Sequence, residues 1–224
     1  MKRFGFLLCA AAVSLAAHDV ITTKITFSRE VSRILYKRCV SCHHDGGAAF
    51  SLLTYEEARP WAKAIKEEVL ARRMPPWGAV KGFGQFRDDR GLTQEDLEIL
   101  ADWVEGGAPE GDARLVPAVP KFSRTQNDAT APGMTEITLD GIVTLRHAAV
   151  LTAIRPKKLA EGASPKVVAE RPDGSMEPLL WIDNYRAAFD RTYVFAKPYR
   201  FPAGTRIVVY PAAGRFALFS TPAP

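Results

Sequence analysis

The chain has 224 residues, 47% of them apolar, and a formal charge of +5 at neutral pH. That length allows one or two domains, and the apolar share supports packed cores, which excludes a disordered or fibrous chain. The basic excess is too mild to signal nucleic-acid binding and suits a protein that meets acidic partners.

Met1-Lys2-Arg3 is followed by an apolar run from Phe4 to Ala17, with Ser14-Leu15-Ala16 near its end. A positive start, a short apolar stretch and small residues before the cut have the form of a secretory signal peptide. Residues 1–17 are read as that peptide. Cys9 lies within it, and Leu8 stands where a lipoprotein signal wants a small residue, so lipidation is not expected. The run is too short to span a bilayer, and no other segment qualifies. Loss of Lys2 and Arg3 takes the charge from +5 to +3 and leaves two cysteines, Cys39 and Cys42. The chain is expected to be periplasmic or otherwise exported, with no transmembrane segment after cleavage.

Ser28 is read as an N-cap, and Phe27, Val31, Ile34 and Leu35 fall at helical spacing, which predicts a helix over 29–38. It delivers Cys39-Val40-Ser41-Cys42-His43, the C-x-x-C-H attachment signature of a c-type haem. Two thiols at this spacing meet the two vinyl groups along one edge of the macrocycle. His43 then lies under the iron as an axial ligand. A structural zinc site needs four ligands and only three stand here. A thioredoxin-type redox disulfide belongs at a helix start after a strand, whereas here a helix precedes the pair. His44 is read as a surface residue or a neighbour of the haem propionates.

His44-Asp45-Gly46-Gly47 carries turn chemistry. Thr54-Tyr55-Glu56-Glu57 is a capping-box pattern, and Pro60 suits the first position of a helical segment over 60–72. Arg73-Met74-Pro75-Pro76-Trp77 follows. Met74 is the only methionine between the Cys39 motif and residue 133. Two prolines after it fix φ and remove two donors, giving a stiff loop suited to hold a thioether as sixth iron ligand. A core methionine is the other reading. Residues 78–91, rich in Gly, Arg and Asp, are read as a surface loop. Thr93 caps a further helix through Val104, ended by Gly106-Gly107.

Residues 109–133, with Pro109, Pro117, Pro120 and Pro132, are read as a linker. Beyond them the pattern turns to β, with runs over 136–139, 142–154, 166–170, 178–182, 191–196, 205–210 and 215–220. Arg171-Pro172-Asp173-Gly174 and Phe201-Pro202-Ala203-Gly204 are turns between strands.

The helical half resembles a mono-haem c-type cytochrome domain. Ser51-Leu52-Leu53-Thr54-Tyr55, Arg59-Pro60-Trp61-Ala62-Lys63-Ala64-Ile65 and Arg73-Met74-Pro75-Pro76-Trp77 resemble a bacterial group. That group fuses such a domain to a β domain similar to copper type II, ascorbate-dependent monooxygenases. The likeness touches the second half at Arg155-Pro156, Arg171-Pro172-Asp173-Gly174 and Pro202-Ala203-Gly204-Thr205-Arg206-Ile207. In that group a His-x-His pair follows Arg-Pro and holds copper; here Lys157 and Leu159 stand in those places. Tyr210-Pro211-Ala212-Ala213 replaces a later His-bearing motif, and His147 is the sole histidine of this half. It is read as a strand residue.

The expected fold is multidomain, α plus all-β. A cytochrome c-like all-α haem domain over 18–108 and a β-sandwich or jelly-roll-like domain over 134–224 flank the linker. The expected cofactor is one covalent haem c on Cys39 and Cys42, with His43 and Met74 as axial ligands. The expected role is electron transfer with a periplasmic redox protein or oxidoreductase, with no catalytic residue assigned and no nucleic-acid partner. Two alternatives are a haem-bearing subunit of a copper monooxygenase-like oxidoreductase and a haem-based gas sensor.

Overall fold

The computed structural model describes residues 24–122, 134–212 and 214–222. The expected signal peptide with Cys9, and the later part of the linker, lie outside the described residues.

The first helical stretch runs as a π-helical turn, Phe27–Val31, into α1, Ser32–Arg38. Its cap is Thr26, which accepts from Arg29 N; Ser28, the expected cap, is buried instead. α2 (Tyr55–Ala58) opens on a complete capping box between Thr54 and Glu57. A short 3-10 turn containing Pro60 leads into α3, Ala62–Leu70. α4, Gln94–Glu105, is capped by Thr93 with Asp96 returning the bond, and Gly106 closes it. The apolar faces of these helices meet in one cluster centred on Phe27, Leu35, Leu100 and Trp103.

Eight strands follow: β1 Thr135–Asp140, β2 Ile142–Thr144, β3 Ala149–Lys158, β4 Lys166–Glu170, β5 Met176–Trp181, β6 Tyr193–Phe201, β7 Arg206–Tyr210 and β8 Arg215–Pro222. They form two four-stranded sheets in the orders β1-β8-β3-β6 and β2-β7-β4-β5, with every neighbouring pair antiparallel. The inward residues of both sheets, among them Leu139, Ile154 and Leu218 from one and Val167, Leu180 and Val209 from the other, share one core. The β-rich run read over 142–154 holds two strands. β2 belongs to one sheet and β3 to the other, and the chain crosses between them at Leu145, bonded both ways with the turn before β7 (Leu145 N to Thr205 O, Gly204 N to Leu145 O).

The expected pairing of an all-α domain with a separate β domain is overturned. The described chain is mainly β, its α-helices run to no more than twelve residues, and no long all-α unit precedes the sheets. Residues 78–91 are a loop with Lys81, Gly82, Gln85, Arg87 and Asp88 exposed, as read, but the loop also packs the helical stretch onto the sheets. β5 and β6 are the outer strands of their sheets, and an open sheet edge exposes unpaired N–H and C=O groups. The loop covers both. Ala79 bridges Ile182 and Val80 N donates to Trp181 O at 2.8 Å beside β5. Phe86 bridges Phe195, and Ala196 N donates to Gln85 O at 2.8 Å, where β6 bulges away from β3. Ala79 and Phe86 are thereby buried in the sandwich core, with Trp77 packed against it.

Candidate functional site

Cys39, Cys42 and His43 come together in the turn that closes α1. Cys39 N donates to Leu35 O at 2.8 Å, and the amides of Cys42 and His43 both donate to Cys39 O at 3.0 Å. Ala49 N returns to Cys42 O at 3.1 Å and Leu52 N to His43 O at 3.1 Å, so residues 43–52 fold back along the motif. Gly47 permits this. A Cβ there would lie 2.5 Å from Cys42 O, too close for any side chain.

The two adjacent histidines diverge. His43 Nδ1 lies 3.0 Å from the Phe50 carbonyl. A carbonyl only accepts, so Nδ1 carries a proton, and in the neutral ring the lone pair is left on Nε2. The Phe50 ring meets His43 edge-on at 4.9 Å, and Trp61 stacks on Phe50 at 4.3 Å. These two rings are 46% and 45% exposed, a flat apolar surface beside the imidazole. His44 instead turns to the Val40 carbonyl (2.8 Å) and stacks on Phe122 at 4.0 Å.

Cys39 and Cys42 are both free thiols. Burial, then the neighbouring Cys42, pushes the Cys39 thiol up to about 12, against the opposing pull of Arg38.

Met74 follows α3 and is 41% exposed. Its amide lies 3.3 Å from Glu68 O, and Arg73 grips the Glu68 carboxylate through Nε and Nη2 at 2.7 and 2.6 Å. That fork holds Glu68 below the usual carboxylate range. Met74 opens into a cleft of about 400 Å³ that reaches Leu97 on α4 and Trp181 and Phe189 on the sandwich. The structure thus gathers Cys39, Cys42 and His43 in one turn and places Met74 on a cleft of its own.

In the second half, His147 is exposed on the bend between β2 and β3, a correction to its reading as a strand residue. Lys157 pairs with Glu136 at 3.3 Å, and Leu159 packs on the core. Among the described residues, no group of three or more His, Cys, Asp or Glu side chains is placed to hold a metal ion. None of their helices is long and apolar enough to cross a membrane.

Sequence reasoning missed the Phe50 carbonyl and the Phe50–Trp61 pair. A backbone acceptor carries no residue signature, and an aromatic eleven positions away has no periodic link to Phe50. No family model, curated protein or solved structure matches this chain.

Proposed function

We propose that this chain carries one haem c, bound through Cys39 and Cys42 with His43 and Met74 as axial ligands. In this reading it is exported and exchanges electrons with a periplasmic redox protein or oxidoreductase. The hydrogen bond from His43 to the Phe50 carbonyl carries the reading. A ring tied at Nδ1 has its orientation and tautomer set, and presents Nε2 to a metal.

The remaining residues fit the group. Two unbridged thiols at attachment spacing are available to form thioethers. Each adds S–H across one vinyl group, sulfur to one carbon and hydrogen to the next, with no oxidant required. Phe50 and Trp61 offer apolar faces that a flat macrocycle would cover. Met74 supplies a thioether on a segment held by the Arg73–Glu68 pair on one side and Trp77 on the other. Bound haem would supply a one-electron iron couple, and His/Met ligation suits electron transfer over oxygen chemistry. The likeness of the Cys39–His43 and Met74–Trp77 segments to the bacterial cytochrome group supports the same assignment.

Axial ligation provides the test. Full chain matured in a host that attaches haem c should show, when oxidised, the weak sulfur-to-iron band at the red end of the spectrum. Met74→Ala should abolish that band, lower the reduction potential and open the reduced iron to carbon monoxide. A band unchanged in Met74→Ala would move the distal role elsewhere. Ready carbon monoxide binding by the unmutated chain would favour gas sensing over electron transfer.

A further inference from the structure

A second cleft, of about 610 Å³, lies between the end of α1 and the start of β6. That is within the roughly 300–1,000 Å³ range of small-molecule sites. Val40 and Ser41 of the attachment turn form part of its wall, and its lining carries six cationic side chains against two acidic ones.

Both acids already have partners, Asp89 outside the lining and Asp88 with the lining cation Arg87. Asp89 takes Lys81 at 2.6 Å and the Gly91 amide at 2.8 Å, and Asp88 lies 3.7 Å from Arg87. Lys37, Arg90 and Lys121 form no ion pair among the described residues. Arg38 is only 9% exposed. Its Nη1 donates to the Asp89 carbonyl at 2.6 Å, while its buried Nε has no hydrogen-bond acceptor and the Asp96 carboxylate stands 3.9 Å away. Part of this charge suits the C-terminal end of α1, where cations are favourable. Arg90 and Lys121 lie on other segments and gain nothing from that helix. Like charges gathered in a recess raise its potential and concentrate anions there.

We propose that this cleft binds a small organic dianion. Carboxylate or phosphate groups would answer Arg38, Arg90 and Lys121 with charge-assisted bonds. Val40, Val194 and Trp77 supply apolar surface for the body between them. The recess is walled by α1, residues 87–90, residues 120–122 and β6, and Arg38, the most buried of its cations, is reached more readily by a small molecule than by a flat protein surface. The proposal stands on the cleft's own geometry and holds whether or not haem occupies the neighbouring turn.

Isothermal titration of the full chain with terephthalate, an aromatic dicarboxylate, tests it, with benzoate as the monoanion. Both the haem-loaded chain and the haem-free Cys39→Ala/Cys42→Ala variant are titrated. One-to-one binding of terephthalate to both forms is expected, about tenfold or more tighter than benzoate and weakening with salt. Arg90→Gln, at a partly exposed loop position, should weaken it by about tenfold without changing the circular dichroism. Absence of binding would overturn the proposal. So would equal affinity for benzoate, or affinity unchanged in Arg90→Gln. Binding confined to the haem-free variant would also overturn it, because the cleft would then belong to the haem's own carboxylates.

Discussion

His43 shows how one backbone atom sets the orientation of a surface imidazole. Its spacing from Cys39 and Cys42 is local and legible in the sequence, because five consecutive residues specify it. The acceptor that orients it, the Phe50 carbonyl, is supplied by chain folding and could come from any residue type. Cys39 is similar. Its identity is plain from the motif, yet its setting depends on packing against the helical cluster. A thiol raised to about 12 reacts slowly at neutral pH, because the thiolate is the nucleophile. In the haem-free chain, Cys39 should alkylate with iodoacetamide at pH 8 at least about tenfold more slowly when folded than in urea. Raised in the folded state, the thiol keeps its proton while the unfolded thiol loses its own. The associated stability is therefore full below pH 9 and falls as pH climbs from 9 towards 12. Peptide mapping by mass spectrometry reads the labelling, and equal rates in the two states would refute this setting for Cys39.

Among the elements, the stretch after Met74 does more than its sequence reading gives it. Glycine, arginine and aspartate there suggest a loop on water, and nothing local reveals that two sheet edges need a partner. The edges exist only once the strand orders are set, and those orders place β5 and β6 outermost. The β2–β3 break was hidden for the same reason. Leu145-Arg146-His147-Ala148 contains no glycine or proline, so the change of sheet left no turn signature. By contrast, α2 and α4 were legible because their capping boxes are written within four residues. Trp77 joins the stretch to the sandwich, with its ring edge-on to Tyr193 at 5.0 Å and to Phe86 at 5.9 Å, and Arg191 over it at 5.7 Å. Trp77→Ala should lower unfolding stability by about 2–4 kcal/mol, and Trp77→Phe should recover most of it. Urea titration measures both. A loss under about 0.5 kcal/mol, the size of an ordinary surface change, would show that the ring does not pin the loop.

For the whole molecule, the two halves meet through that loop, and two clefts lie along the meeting. One carries Met74 and reaches the sandwich at Trp181 and Phe189. The other carries the cationic lining and adjoins the Cys39–His43 turn. The Cys39–His43 turn and the strand-rich second half could be read from spacing and pattern. The joining of the halves could not, since it rests on contacts between residues more than a hundred positions apart, such as Ala79 with Ile182 and Phe86 with Phe195. The central claim concerns covalent attachment, and intact mass tests it most directly. Full chain from a host with c-type maturation is extracted with acid acetone and weighed beside Cys39→Ala/Cys42→Ala. The account predicts a chain heavier by one haem after extraction and a double variant that loses it. Haem released into the acetone, leaving the chain at its bare mass, would contradict it.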